Sequence, residues 1–82
     1  MNCAHPQTQR ELFRILEEAI RDEDRAHDKY EEAAKHAEDP CVRKLLLDLA
    51  AMEHQHHVLL ENTLNELRAV AELQEEINEA YA

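Results

Sequence analysis

The sequence has no glycine and no tryptophan, and only two prolines, two cysteines, two tyrosines and one phenylalanine in 82 residues. With no glycine, and with both prolines near evident boundaries, little interrupts a background of Ala, Leu, Glu, Arg and Lys. These are the strongest helix formers, and an all-α chain is the expected class. The scarcity of aromatics leaves little bulk for an isolated core. A single core is marginal at this length in any case, so association with other copies is expected. Basic residues are outnumbered nine to nineteen, for a formal charge of −10. That leaves no basic face for a nucleic acid, whereas a negative surface draws cations and aids solubility. The longest apolar runs, such as Leu45-Leu46-Leu47, fall far short of a bilayer span, so no membrane partner is expected. Met1-Asn2-Cys3-Ala4-His5-Pro6 has neither the basic nor the apolar region of an export signal, and a cytoplasmic location is expected. Cys3 and Cys41 form no CxxC pair and read as two free thiols.

What is present is a helical pattern in two parts. Residues 1–8 form a short lead-in. Thr8 and Glu11 fit a capping box that starts a helix near Gln9. Stepping by threes and fours then gives one seam, Phe13, Leu16, Ile20, Glu23, His27, Tyr30, Ala34 and Ala37, with charged residues mostly off it. Glu17–Arg21 and Glu31–Lys35 have the i, i+4 spacing of helix ion pairs. Glu38-Asp39-Pro40 ends this helix and begins the next, with Asp39 as N-cap and Pro40 as first helical residue. So short a connection predicts an antiparallel hairpin. The second helix is expected from Pro40 to at least Leu67 and carries two adjacent lines. One is Leu45, Leu49, Met52, His56, Leu59, Thr63; the other is Leu49, Glu53, His56, Leu60, Thr63, Leu67, Val70. The hairpin partner covers one line, and the second predicts another protomer. In the acidic tail 68–82, Val70, Leu73, Ile77 and Tyr81 continue an apolar stripe. The tail either extends the second helix or turns into a short third one. Residues 1–82 read as one domain.

The chemistry-bearing residues lie on these seams. Glu53-x-x-His56 places a carboxylate and an imidazole on one side of a helix, about 60° apart and about 4.5 Å along its axis. Such a pair can grip one metal ion. Bundles that hold two ions combine it with a lone Glu from each of the other helices. Glu23 stands about sixteen residues before the Asp39-Pro40 turn and Glu53 to His56 about thirteen to sixteen after it, so at about 1.5 Å per residue they are level. Charged groups at one level of an apolar seam are costly unless compensated, and a metal compensates them. Mixed carboxylate and imidazole ligands suit iron or manganese and, less distinctively, zinc. One hairpin supplies the set once, and a two-metal site needs it twice. The expected assembly is therefore a two-fold dimer, a four-helix bundle with the metals at the subunit interface. His27, one turn from Glu23, is a candidate additional ligand. His54 and His57 flank the motif but point elsewhere on the helical wheel, toward solvent or an interface.

Glu23-x-x-Ala26-x-x-x-Tyr30, then Asp39-Pro40, then Leu49-Ala50-x-x-Glu53-x-x-His56-x-x-Leu59 resembles the rubrerythrin branch of the ferritin-like superfamily, over about residues 10–67. Ordinary ferritins and rubrerythrins carry two such hairpins in one chain. A single hairpin is similar to the encapsulated ferritins, whose dimers build a ferroxidase centre between subunits and assemble further into rings. The resemblance implies a di-iron centre in which Glu23 bridges the ions, Glu53 and His56 each hold one, and Tyr30 stands nearby. It implies a ferroxidase that oxidises Fe(II) to Fe(III) in iron storage or detoxification, a homodimer within a ring-like assembly, and an encapsulin shell as partner and compartment. Two features depart from the pattern. No rubredoxin-like pair of CxxC knuckles is present, which argues against a complete rubrerythrin with its electron-transfer domain. The last residues, Ala80-Tyr81-Ala82, do not match the shell-targeting tail that such cargo proteins carry.

Other readings compete. A rubrerythrin-like protein that reduces peroxide is the related alternative. A non-catalytic helical-hairpin interaction module would use Glu23 and His56 as a buried polar pair that sets register. A histidine phosphotransfer bundle would use His54 or His57, but the lysine and glycine usual beside such a histidine are missing.

Overall fold

The structure is a computed structural model and describes residues 8–80. The lead-in before Thr8, Cys3 and the apolar position at Tyr81 lie outside those residues. The fold is an antiparallel pair of helices, α1 (Gln9–His36) and α2 (Pro40–Ala80), with no strand among the described residues. The all-α hairpin expected from composition and spacing is thus the observed architecture.

Local chemistry sets the helix ends. Glu11 N–H donates to Thr8 Oγ1 and Thr8 N–H donates to Glu11 Oε2, both at 3.2 Å, so the capping box is complete. Lys35 and His36 occupy the last turn of α1, where cations complement the helix dipole. Ala37 is extended, its N–H donating to Ala34 O at 3.3 Å. Asp39 caps α2. Its Oδ1 accepts from Cys41 N–H at 2.7 Å and Val42 N–H at 3.3 Å, while Pro40 takes the position that lacks an N–H to satisfy. The Arg43 guanidinium reaches back to the Ala37 carbonyl at 2.7 Å and fastens the turn. Asp39→Ala is expected to cost about 1 kcal/mol of stability, with Asp39→Asn close to wild type. Thermal melting followed by circular dichroism checks this, and an unchanged melting temperature in the alanine variant would remove the cap from the account.

Helix α2 is continuous through residues 68–80, so the third-helix alternative does not form. No Gly interrupts it after the Pro40 start. Its 41 residues, at 1.5 Å each about 62 Å, account for the 64 Å long axis of the molecule. The 28 residues of α1 span about 42 Å, so α2 overhangs its partner by about 20 Å. The radius of gyration is 18.4 Å, against about 12 Å for a globular chain of this length. Among the described residues only Ala34, Ala50 and Leu64 are buried. A single protomer therefore has almost no core.

The expected α1 seam is the observed one: Phe13, Leu16, Ile20, Glu23, His27, Tyr30, Ala34 and Ala37 all lose exposure against α2. On α2 the expected lines need correction. The covered line is Leu46, Ala50, Glu53, His57, Leu60, Leu64, Leu67 and Ala71. Leu49 is half-covered beside it, while Leu45, Met52, His56, Leu59, Thr63 and Val70 are exposed. Of the second expected line, Leu49, Glu53, Leu60 and Leu67 are covered while His56, Thr63 and Val70 are not, so the stripe docked on α1 is rotated toward His57. The two expected i, i+4 ion pairs also give way to others. Glu17 pairs with Arg68 across the hairpin, Glu31 meets His27, and Lys35 meets Glu32 at 3.3 Å. Glu17–Arg68 ties the C-terminal half of α2 to α1, a contact that an intrahelical Glu17–Arg21 pair would forgo.

At 100° per residue, the two sides of the covered line differ. One flank of α2 presents Leu45, Met52, His56, Leu59 and Val70, all exposed. The other presents Leu47, His54, Val58, Glu61 and Arg68, and Arg68 meets Glu17 of α1. The hairpin thus has a bare apolar flank and a more polar one.

Candidate metal centre

Glu23 comes from α1, Glu53 and His56 from α2, and the antiparallel register brings them level. One ligand atom of each lies within 4.8 Å of the other two. His56 Nδ1 is 3.4 Å from Glu23 Oε2 and 3.7 Å from Glu53 Oε2. The carboxylates are mostly covered, at 24% and 21% side-chain exposure, and His56 is half exposed at 51%. The group therefore opens onto the bare apolar flank.

Glu23 Oε2 is buried and has no hydrogen-bond partner. A carboxylate oxygen out of water with no donor is costly, by about 1–3 kcal/mol or more for a charged group. A cation at the point shared with Glu53 and His56 would remove that cost. Two carboxylates and one imidazole suit Fe(II) or Mn(II), so the residues fit such an ion. Three donors leave its coordination incomplete.

The remaining sequence candidates separate. Tyr30 is half-buried on the α1 seam, and no hydrogen bond joins it to the three residues among those described. His27 belongs to another group, with Nδ1 3.3 Å from Asp28 Oδ1 and Nε2 3.2 Å from Glu31 Oε1. His57 is the residue the helical wheel misplaced. It lies on the covered line, with Nδ1 2.6 Å from Asp24 Oδ1 and Nε2 2.8 Å from Glu61 Oε2. The i, i+4 spacing of His57 and Glu61 was the available signal.

Both His57 nitrogens face carboxylates, and only the imidazolium can donate from both. Its pKa is raised above the ordinary 6.5, chiefly by the hydrogen bond to Glu61, against an opposing desolvation and with help from Asp24. A pKa raised on folding means that the contribution to stability is full below pH 6.5 and fades as pH rises through the folded value. The His57 ring proton in NMR should therefore titrate above 6.5, and Glu61→Gln should lower the midpoint. A wild-type midpoint at or below 6.5 would refute the bridge.

Residues 14–82 match the rubrerythrin family model. A curated relative, the ferritin-like-encapsulin shell fusion protein of Pyrococcus furiosus, is 45% identical over 56 residues, which is 68% of this chain and 16% of the relative. The chain thus spans only a small part of that relative's length. No solved structure matches. A family match running through both helices, on a chain folded as an all-α hairpin, makes this protein a member of the rubrerythrin family within the ferritin-like superfamily.

Proposed function

We propose that the chain is a ferritin-like di-iron protein with ferroxidase activity, oxidising Fe(II) to Fe(III) at a centre shared across a homodimer, in iron storage or detoxification. The observation that carries this is the buried, unpartnered Glu23 Oε2 within reach of Glu53 and His56. In this reading residues 1–82 form one half-bundle domain, and a two-fold partner completes it.

The two-fold axis doubles two carboxylates and one imidazole into four carboxylates and two imidazoles, the donor set of di-metal helical bundles. Glu23, with its two oxygens, and Glu53 and His56 of each protomer would together hold the two ions. Bound there, two ferrous ions supply two electrons to dioxygen or peroxide. Four carboxylate charges balance two divalent ions and lower the cost of the extra positive charge that oxidation leaves. Met52 and Leu59, on the same flank as His56, close over the centre in the dimer and exclude bulk water. The net charge of −10 concentrates Fe(II), the substrate, around the protein.

One hairpin encloses no space for mineral, so storage requires either a large closed assembly or a separate compartment. The relative's name joins a ferritin-like part to an encapsulin shell, which supports an encapsulin shell as partner and a cytoplasmic nanocompartment as location. The rubrerythrin match favours a second reading, in which peroxide is the physiological oxidant. Ferric absorbance after adding Fe(II) to the apo protein tests both, under air and under anaerobic peroxide. Oxidation no faster than in buffer with either oxidant sinks the proposal.

A further inference from the structure

Helix α2 offers α1 more than one face, and apolar burial does not choose between them. The covered line is Leu46, Ala50, Glu53, His57, Leu60, Leu64, Leu67 and Ala71. A second line, Leu45, Met52, His56, Leu59, Thr63 and Val70, is exposed. The two lie about 100° apart around the helix, the angle between one residue and the next. The covered line carries a carboxylate, an imidazole and two alanines, and it leaves Leu45, Met52, Leu59 and Val70 between 49% and 66% exposed. A roll of α2 by about 100° would bury those four large side chains and put His56 in the place of His57.

Polar links oppose that roll. Apart from the Glu23 group, two ion pairs join the helices among the described residues: His57 Nδ1 with Asp24 Oδ1 at 2.6 Å, and Arg68 with Glu17. The Arg68 pair lies about three turns further along α2. The His57 pair stands beside the Glu23 group. Asp24 follows Glu23 and His57 follows His56, so two consecutive residues on each helix straddle the seam. Asp24 and His57 meet on one side of it, while Glu23 and His56 meet on the other at 3.4 Å. Glu61 Oε2, 2.8 Å from Nε2, holds the same imidazole ring from its own helix.

We propose that His57 is a positioning residue for the metal centre. By bridging Asp24 and Glu61 it fixes the rotation of α2 on α1, and so holds Glu53 and His56 at Glu23. This role rests on the reading of those three residues as metal ligands. With the bridge cut, α2 rolls toward its second line. Glu53 then leaves the seam on the side away from the bare flank, His56 turns into the seam, and the three donors no longer share one point. What residue 57 must supply is hydrogen-bond donors to both carboxylates. Lysine, with three donors on a long stem, supplies them, and alanine supplies none.

The test measures Mn(II) affinity of the full chain by equilibrium dialysis. Asp24→Ala is the cleaner change, because the Asp24 side chain is 58% exposed and alanine suits a helix. Asp22→Ala removes the same charge from the other neighbour of Glu23 and is the control. D24A and H57A should each weaken Mn(II) binding at least about 10-fold, with helicity by circular dichroism unchanged. The double variant should be no weaker than the weaker single one, since both changes cut one link. H57K and D22A should bind within about 3-fold of the wild type. Wild-type affinity in both D24A and H57A overturns this role and leaves the centre standing, and so do losses that simply add. A wild type that binds no Mn(II) overturns the centre and the role together.

Discussion

Glu53→Ala is expected to lower aerobic Fe(II) oxidation at least about 100-fold, with the helical content intact. Removing even an indirect support of a metal ligand costs about 10–100-fold in affinity or activity, and the two-fold axis makes one substitution remove two direct ligands. The loss is not one of folding, because alanine is a better helix former than glutamate at this position. Glu53→Gln keeps the shape and removes the charge, so it should fall almost as far. Glu23→Ala should match Glu53→Ala, since Glu23 carries the buried oxygen that has no other partner. Stopped-flow ferric absorbance at equal protein concentration measures all three. If Glu53→Ala keeps wild-type rates, the three residues serve register or solubility and the interaction-module reading gains.

Leu59→Asp is expected to reduce the assembly to monomers and to abolish iron oxidation while leaving every proposed ligand in place. Leu59 is 66% exposed in the protomer, so in an isolated hairpin the change would be nearly neutral, within about 0.5 kcal/mol. It lies on the flank that carries His56, together with Leu45, Met52 and Val70. If that flank packs against a second copy, burying Leu59 contributes about 2 kcal/mol per protomer, and an aspartate there is an unpaired buried charge. Asn65→Asp on the polar side of α2 adds the same charge and serves as the control. Sedimentation and light scattering give the mass, and rate measurements on the same samples give the activity. The shared-centre proposal fails if the metal-loaded wild type is a monomer. It fails equally if Leu59→Asp stays assembled and active.

The parts of the molecule legible in the sequence were those where one local interaction decides the outcome. Thr8 with Glu11, and Asp39 with Pro40, satisfy helix-end N–H groups by neighbours in sequence, so the boundaries could be read without a fold. The α1 seam was legible because charged residues crowd the rest of that helix and leave one stripe to bury. Helix α2 offers no such contrast. Its leucines fill more than one stripe, and stepping by threes and fours through them yields several acceptable lines. The chosen line carries small Ala50. The two helices come closest where Ala50 and Ala34 are both buried. That pairing is between helices and invisible on either wheel alone.

The Glu23, Glu53 and His56 grouping was legible for a related reason: a short turn makes height along an antiparallel hairpin a matter of counting residues. The pairing of His57 with Asp24 was not, because it depends on the rotation of α2 rather than on height. The sequence by itself determined the two helices, their caps, their antiparallel course and the level at which the carboxylates and His56 meet, since all of these follow from local bonding and helix rise. Only the tertiary structure decided which stripe of α2 is covered, and with it three outcomes. His57 turns inward, His56 stands at the edge of the bare flank, and Glu23 Oε2 is left in a buried position without a hydrogen bond. The reason is that burial is a property of two packed surfaces, and α2 on its own had more than one surface to offer.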